Sequence, residues 1–229
     1  MLDNLTDTTL EIAGSPQEPA VSSVKLAGIA ILGSHPATVM AAPFGDPGWL
    51  IYSCSPHNVE KRTLPRVDQW FEVHDCIEDP TRAFGYLKAV SEMPFVWMRD
   101  KRALASGHFP GARLYPENLK GSSRVERVKI PTGPETHEIR AAEVPNQDGL
   151  FCPYMFTSSI AYMLAKSIVD CEQNGIKQIG IWGVMQASET EYTYQRPGIQ
   201  YFICEAMQRG IKVICNRESC LFDMPQWKW

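Results

Sequence analysis

The sequence lacks the features that mark membrane-spanning and secreted proteins. No apolar run approaches the roughly 18–20 residues that a helix needs to cross a bilayer. The first residues, Met1-Leu2-Asp3-Asn4, have neither the basic start nor the apolar core of a signal peptide. We therefore expect a cytoplasmic protein that has no membrane partner.

Metal-binding and disulfide patterns are also missing. The seven cysteines follow no CxxC or Cys/His spacing of a zinc site, and no two aspartates stand in a DxD arrangement. Cys215 and Cys220 are a close pair, and a disulfide or metal role for them stays open beside the interpretation that they are reduced thiols. We expect a site without metal and no permanently bound cofactor.

A strong positive charge is absent as well. The formal net charge is -4, so the overall charge does not predict a nucleic-acid partner, and only a local basic patch would. Hydrophobic residues make up 44% of the chain and charged residues 21%, a balance that can bury the core of one domain. The sequence contains no internal repeat and no low-complexity tract.

What the sequence does contain is a regular alternation of apolar runs and helical segments. Residues 1–24 are polar and predict a flexible leader, and residues 25–229 predict one Rossmann-like domain. The predicted strands are 26–32, 49–54, 66–75, 95–98, 112–116, 176–182 and 211–215, and the predicted helices are 37–42, 79–92, 158–174 and 197–209. Strands that alternate with helices indicate an α/β fold with a doubly wound, mostly parallel sheet.

Residues 120–149 interrupt this alternation. Two short apolar segments flank Pro131-Thr132-Gly133-Pro134, which predicts a protruding β-hairpin arm. Four basic residues make the arm locally positive: Lys120, Arg124, Arg127 and Lys129. The arm is open to interpretation as a solvated excursion, a lid over the site, a contact in a homo-oligomer, or a contact with nucleic acid or an acidic substrate.

Polar residues follow the first three predicted strands. Gly33 and Ser34 end the first strand, where a tight turn would expose backbone N–H groups to a phosphate, although an ordinary turn stays open. Ser55 and Asn58 follow the second strand, and His74 lies at the end of the third. A partly buried histidine that is hydrogen-bonded to a neighbour is the structural alternative to a substrate or phosphate contact of His74. Open α/β sheets bind ligands at the carboxyl ends of their strands, so we predict that these residues contribute to a nucleotide site.

A second group of candidate residues lies in the C-terminal third of the chain. Thr157, Ser158 and Ser159 start a helix whose N-terminus would attract an anion. Gly183 opens the loop after the next strand. These four residues complete the predicted nucleotide-binding set.

The loop after Gly183 is rich in hydrogen-bonding side chains. Glu191 is the first candidate for a general base and His74 the second, and Arg196 is a candidate to stabilise a leaving phosphate. Tyr192, Tyr194 and Gln195 are predicted substrate contacts. A surface ion pair of Glu191 with Arg196, and tyrosines that only pack in the core, are the structural alternatives.

Several short motifs resemble those of known nucleotide-using families. They are Gly33-Ser34-His35-Pro36, Cys54-Ser55, Thr157-Ser158-Ser159, Ile179-Gly180-Ile181-Trp182-Gly183-Val184, and the tail from Ile211-Lys212-Val213-Ile214-Cys215 to Ser219-Cys220-Leu221-Phe222. In order and type they resemble the bacterial CMP-sialic-acid-dependent sialyltransferases and the related 6-hydroxymethylpterin diphosphokinase-like Rossmann family. The segment Glu191-Tyr192-Thr193-Tyr194-Gln195-Arg196-Pro197 resembles uncharacterised phage-encoded proteins, which would place the chain in a host cytoplasm.

The resemblance implies a transferase that uses a nucleotide-activated donor, most simply a glycosyltransferase with a nucleotide or nucleotide-sugar as its partner. The chain departs from the sialyltransferase pattern in three places. Met185 stands where those enzymes carry an aspartate, Ser55 where they carry an asparagine, and residues 186–210 contain no histidine. The alternative is a non-catalytic protein of the same fold that acts in assembly or partner binding through the 120–149 arm.

Overall fold

The structure, a computed structural model, describes most of the chain after its first 24 residues. The described ranges are 25–54, 64–74, 86–120, 125–129, 137–141, 150–185 and 192–222. In 125–129 and 137–141 only the backbone is described, and in 192–222 the side chains are described from residue 194.

Seven parallel strands form the main sheet, and helices accompany them along the chain. The strands are β1 (Gly28–Leu32), β2 (Trp49–Ser53), β3 (Gln69–Glu72), β4 (Val96–Met98), β5 (Ala112–Leu114), β8 (Gln178–Trp182) and β9 (Lys212–Cys215). The α-helices are α1 (Pro36–Val39), α2 (Tyr86–Ser91), α3 (Lys101–Ala105), α4 (Ser159–Asn174) and α5 (Tyr192–Gln208). Short 3-10 turns lie at Glu117–Leu119, Pro153–Met155 and Cys220–Phe222.

The strand order in the sheet is β5-β4-β3-β2-β1-β8-β9. The chain starts at a central strand, runs outward to β5, and returns to the other side of β1 through β8. This confirms the predicted α/β, Rossmann-like parallel sheet. The reversal of direction between β1 and β8 creates a topological switch point, the position where such sheets usually bind ligands.

Helices cover both faces of the sheet because the central strands are apolar on both sides. Every residue of β1 is buried. Ile29 and Ile31 pack with α4 and α5, whereas Ala30 and Leu32 pack on the opposite side with Val39 of α1. Trp70 and Met98, on neighbouring strands, pack with α2 and α3. A strand that is buried on both faces needs a continuous apolar run, which is the pattern that predicted it.

α4 is the best-defined helix in terms of its ends. Ser158 is the N-cap residue and accepts a hydrogen bond from the Ala161 amide at 3.3 Å. Gly175 closes the helix in a left-handed conformation with φ of 67°. Both ends confirm the boundaries predicted from sequence, because a hydroxyl before the helix and a glycine after it satisfy the terminal backbone groups.

Other boundaries differ from the sequence prediction. Pro197 was predicted to begin the last helix, but it lies inside α5, which starts at Tyr192. The segment 99–105 carried no predicted helix, but α3 begins there after Asp100, whose side chain accepts hydrogen bonds from the Arg102 and Ala103 amides. The third strand is shorter than predicted, at Gln69–Glu72. Of the predicted helix 79–92, the described part is α2.

Within the predicted arm, the structure describes a pair of antiparallel strands, β6 (Val125–Lys129) and β7 (His137–Ala141). Its base is held together where the chain leaves and rejoins the domain. Lys120 and Phe151 form an isolated bridge, and the Phe151 amide donates to the Leu119 carbonyl at 2.9 Å. The excursion between them is therefore anchored at both ends, while its role as an arm or lid stays a prediction.

Candidate functional site

The carboxyl ends of the parallel strands lie along one edge of the sheet, and the described candidates Gly33, Ser34, His74 and Gly183 follow them. Leu32 is in register with Ser53 on one side and with Trp182 on the other. Glu72 is in register with Met98, and Met98 with Leu114. Because neighbouring strands lie about 4.8 Å apart, the residues that follow each strand form a continuous rim.

At the switch point, the turns after β1 and β8 are bonded tightly to each other. The Gly33 amide donates to the Trp182 carbonyl at 2.8 Å, and the His35 amide donates to the Gly183 carbonyl at 2.9 Å. The Gly183 amide donates to the Thr38 hydroxyl at 3.0 Å, and Gly183 has φ of 71°. A phosphate at this turn would have to be held by groups other than the Gly33 amide, such as the half-buried Ser34.

Two strands away from β1, Glu72, His74 and Tyr86 form a hydrogen-bonded group at the end of β3. The Glu72 side chain is fully buried, and its Oε1 lies 2.7 Å from Nδ1 of His74 and 3.1 Å from the His74 amide. Its Oε2 accepts a hydrogen bond from the Tyr86 hydroxyl on α2. The His74 side chain is 44% exposed. A buried carboxylate is therefore paired with an imidazole that reaches the surface.

The contact with Glu72 bears on which ring nitrogen of His74 carries the proton. A carboxylate that accepts from Nδ1 holds the ring proton on that nitrogen, so the basic lone pair of the neutral ring lies on Nε2. The arrangement has the geometry of a positioned general base, the role for which His74 was the second candidate.

Cys54 and Ser159 adjoin this group. Burial raises the pKa of the Cys54 thiol to about 12, and the negative charge of Glu72 adds to the rise, while a hydrogen bond from Ser159 opposes it. A thiol with that pKa is protonated at neutral pH and is not a nucleophile. Cys54, at the end of β2, therefore contacts Ser159 at the N-terminus of α4 and lies within the electrostatic influence of Glu72.

The remaining predicted residues at the start of α4 have structural partners. Ser158 is the N-cap, and the Thr157 hydroxyl donates to the Gln195 carbonyl at 2.9 Å. Through that bond the N-terminus of α4 contacts α5 directly. Gly198 makes the approach close, since any side chain there would collide with Met155 and Thr157.

The polar loop predicted after Gly183 is only partly described, and the prediction is wrong from Tyr192 onward, because Tyr192, Tyr194, Gln195 and Arg196 lie in α5. Arg196 is buried, and its Nε donates to the Leu221 carbonyl at 2.9 Å, which ties α5 to the turn Cys220–Phe222. Tyr194 is 81% exposed and Gln195 is half-buried. Glu191, Ser55, Asn58 and the Tyr192 side chain lie outside the described residues. The hydrogen bond from Arg196 to Leu221 has a structural explanation, because it holds α5 against the turn Cys220–Phe222.

A pocket of about 280 Å³ lies farther along the rim, beyond β4 and β5. Its polar lining includes Arg99, Lys120 and Tyr162. The Arg99 amide donates to the Glu72 carbonyl at 3.3 Å, so the pocket adjoins the strand that carries His74. Side chains alternate between the two faces along a strand, so Glu72 shares the face of Trp70, which packs with α2. The pocket residues Tyr115 and Tyr162 pack on the opposite face, with α4.

Sequence reasoning missed Glu72, Tyr86, Arg99 and Tyr162. Glu72 carried one usable signal, because a charged residue in an otherwise apolar strand segment, two residues before a histidine, is unusual in a buried strand. The others have no local signal. Tyr162 meets Arg99 across 63 residues and Lys120 across 42 residues of sequence.

Among the described ranges, no group of three or more His, Cys, Asp or Glu side chains is placed to hold a metal ion. Within the same ranges, no helix combines the length and apolarity that crossing a bilayer requires. No family model matches the chain, and comparison with curated proteins and with solved structures gives no match either. The resemblance to sialyltransferases therefore stays a prediction.

Proposed function

We propose that the chain is a transferase that uses a nucleotide-activated donor, most simply a glycosyltransferase, with His74 as its general base. One observation carries the proposal: the exposed His74 imidazole is paired through Nδ1 with a fully buried carboxylate at the carboxyl edge of a parallel sheet. A buried charge that orients an exposed base is costly to maintain for packing alone. It is the arrangement that proton abstraction requires.

In the proposed reaction, His74 Nε2 takes the proton of an acceptor hydroxyl as its oxygen attacks the activated carbon of the donor. The bond to the donor phosphate breaks, and the phosphate leaves with the electron pair. Glu72 stabilises the imidazolium. Donors at the N-terminus of α4, beside Ser159, stabilise the charge on the leaving phosphate. The proposal assigns this charge stabilisation to protein groups, so turnover should be unchanged in excess EDTA.

Glu191 is the competing base in this proposal, and Tyr192, Tyr194 and Gln195 are the proposed substrate contacts. The two bases are separable, because a true base is needed for turnover but not for donor binding. Glu191→Gln and His74→Asn should therefore differ, with His74→Asn removing turnover and leaving the donor affinity within a few fold.

The experiment is a turnover assay with CMP-, UDP- and GDP-activated sugars on the wild-type chain, His74→Asn and His108→Asn. His108 is exposed in the loop after α3 and serves as the matched control. We expect His74→Asn to lower kcat by roughly 10²- to 10⁴-fold, the usual contribution of a general base, and His108→Asn to have no effect. Equal rates for His74→Asn and the wild type would remove His74 from the proposal. If the wild type turned over none of these donors, the non-catalytic alternative would be favoured.

A further inference from the structure

The pocket beyond β4 and β5 is built mainly from side chains that are remote from one another in sequence. Arg99 follows β4, and Tyr115 follows β5. Lys120 lies at the base of the hairpin excursion, and Tyr162 projects from the first turn of α4. Leu114, Tyr115 and Pro116 provide an apolar wall beside these polar groups. The pocket therefore combines cations with a surface that can contact a carbon skeleton.

Two cations converge on one phenol oxygen. Lys120 Nζ donates to the Tyr162 hydroxyl, and Arg99 Nη1 lies 3.5 Å from the same oxygen. The Lys120 ammonium also lies over the rings of Tyr162 and Phe156, at 4.5 and 5.1 Å from their centroids. Aromatic faces stabilise a cation without neutralising it. The positive charge of Lys120 is thus held in place without an ion pair to any described carboxylate.

The acidic residue that lines the pocket pairs with a lysine other than Lys120. Glu117 lines the pocket, but its carboxylate pairs with Lys101 at 2.7 Å, and both of those side chains are more than half exposed. The contacts of Lys120 are instead a hydroxyl and two rings. Among the described residues, the positive charge of Lys120 therefore has no carboxylate partner.

The Tyr162 hydroxyl adds a third donor. Its oxygen accepts from Lys120 and Arg99, so its own hydrogen must point elsewhere, and it meets no acceptor among the described residues. Tyr162 is only 3% exposed, so bulk water does not solvate this group freely. A ligand oxyanion would accept hydrogen bonds from the Tyr162 hydroxyl and from Lys120.

We propose that this pocket binds an organic oxyanion, a carboxylate or phosphate monoester with a carbon skeleton of roughly monosaccharide size. The charged group contacts Arg99, Lys120 and the Tyr162 hydroxyl, and the skeleton packs on Leu114, Tyr115 and Pro116. The site is distinct from the Glu72–His74 pair, because the Glu72 carboxylate lies on the α2 side of the sheet and the pocket lies on the α4 side. It stands whether or not His74 is a base, and it gives the chain selectivity for an acidic ligand.

The test is calorimetric titration of the full chain at low ionic strength with phenyl phosphate, benzoate and inorganic phosphate. The variants are Lys120→Met, which keeps the apolar stem, Tyr162→Phe, which keeps the ring under Lys120, and Lys120→Arg as a rescue. Lys212→Met is the control, because Lys212 is exposed on β9 at the opposite edge of the sheet. Thermal melting of each variant confirms that it is folded, and His74→Asn is titrated in parallel.

We expect saturable binding of phenyl phosphate or benzoate, tighter than that of inorganic phosphate, with the stronger of the two identifying the charged group. Lys120→Met and Tyr162→Phe should weaken it by roughly tenfold to hundredfold, as expected when a hydrogen bond to a charged group is lost. Lys120→Arg, His74→Asn and Lys212→Met should bind like the wild type. The inference is overturned if the wild type binds none of the three probes saturably, if Lys120→Met and Tyr162→Phe bind as the wild type does, or if Lys212→Met is impaired as strongly as Lys120→Met.

Discussion

A fully buried carboxylate such as Glu72 is tolerated only because donors converge on it. The His74 amide, the His74 ring and the Tyr86 hydroxyl all contact its two oxygens. Burial and the adjacent Glu72 charge both raise the pKa of Tyr86, so its hydroxyl keeps its proton and remains a donor at all ordinary pH values. The tyrosine is therefore part of what holds Glu72, and through it His74, in position.

Replacing Tyr86 by Phe removes that donor and leaves Glu72 Oε2 with one hydrogen bond fewer in a buried site. We expect the free energy of unfolding to fall by about 1–3 kcal/mol, the range for an orphaned buried polar group, as measured by urea denaturation. Turnover should fall too, because the Glu72 side chain is then less fixed. If Tyr86→Phe unfolds at the same urea concentration as the wild type, the proposed role of Tyr86 is wrong.

Single residues also show where prediction from sequence stops. His74 was identified because a histidine at a strand end is a local signal. Glu72 was not, because a glutamate in a strand normally faces solvent, and only the position of Tyr86 on a separate helix explains its burial. Arg99 and Tyr162 come together through tertiary packing alone. Sequence therefore indicated the edge of the sheet but not the partners that meet there.

At the scale of secondary-structure elements, β1 and β8 are joined more closely than strand pairing alone requires. The turn after β1 donates two backbone hydrogen bonds to the end of β8 and the turn after it, and neither Gly33 nor Gly183 has room for a side chain. A Cβ atom on Gly183 would lie 2.7 Å from the Gly33 carbonyl oxygen, and a Cβ atom on Gly33 would collide with the Gly183 carbonyl. The switch point thus depends on two glycines.

Gly33→Ala should force these two turns apart. We expect a loss of about 1–3 kcal/mol in the free energy of unfolding, the usual cost of overpacking, measured by urea denaturation. Gly45→Ala is the matched control, because a Cβ atom there meets nothing within 4 Å. A Gly33→Ala variant as stable as Gly45→Ala would contradict the close approach of the two turns.

Elements whose pattern is local were predicted well, and the others were not. β1 and β8 were found from continuous apolar runs, and both ends of α4 from Ser158 and Gly175. α5 was predicted to start too late because proline favours the first turn of a helix, but Pro197 lies inside α5. α3 spans five residues, too few for a hydrophobic period to show.

At the scale of the whole molecule, two buried tyrosines should lower the free energy of unfolding as the pH becomes alkaline. The Tyr52 hydroxyl donates to Asp170 at 2.5 Å, and the Tyr115 hydroxyl donates to the Tyr162 carbonyl at 2.9 Å. Burial raises the pKa of both hydroxyls well above the ordinary value, and neighbouring groups add to it: the Asp170 charge for Tyr52, and Tyr162 and Asp170 for Tyr115. Both tyrosines therefore stay neutral in the folded chain where they would ionise in the unfolded chain.

The direction of the pH dependence follows from the raised pKa values of the two tyrosines. Above a pH of about 10 the unfolded chain releases these protons and the folded chain keeps them, so stability is complete below that pH and falls as the pH rises. Each tyrosine should contribute a slope of about 1.4 kcal/mol per pH unit. Urea denaturation between pH 8 and 11 measures it, and Tyr52→Phe should show a shallower decline. A free energy of unfolding that stays constant from pH 9 to 11 would contradict the prediction.

The central claim is that the carboxyl edge of the sheet binds a nucleotide-activated donor beside His74. The most direct test is an NMR titration of the isotope-labelled full chain with a nucleotide and nucleotide-sugar panel. We predict saturable shift changes in the His74 ring and in the amides of Ser34, Cys54 and Ser159, with the amino ends of the strands unaffected. The claim is contradicted if no member of the panel shifts these resonances, or if saturable changes occur only at the amino ends of the strands.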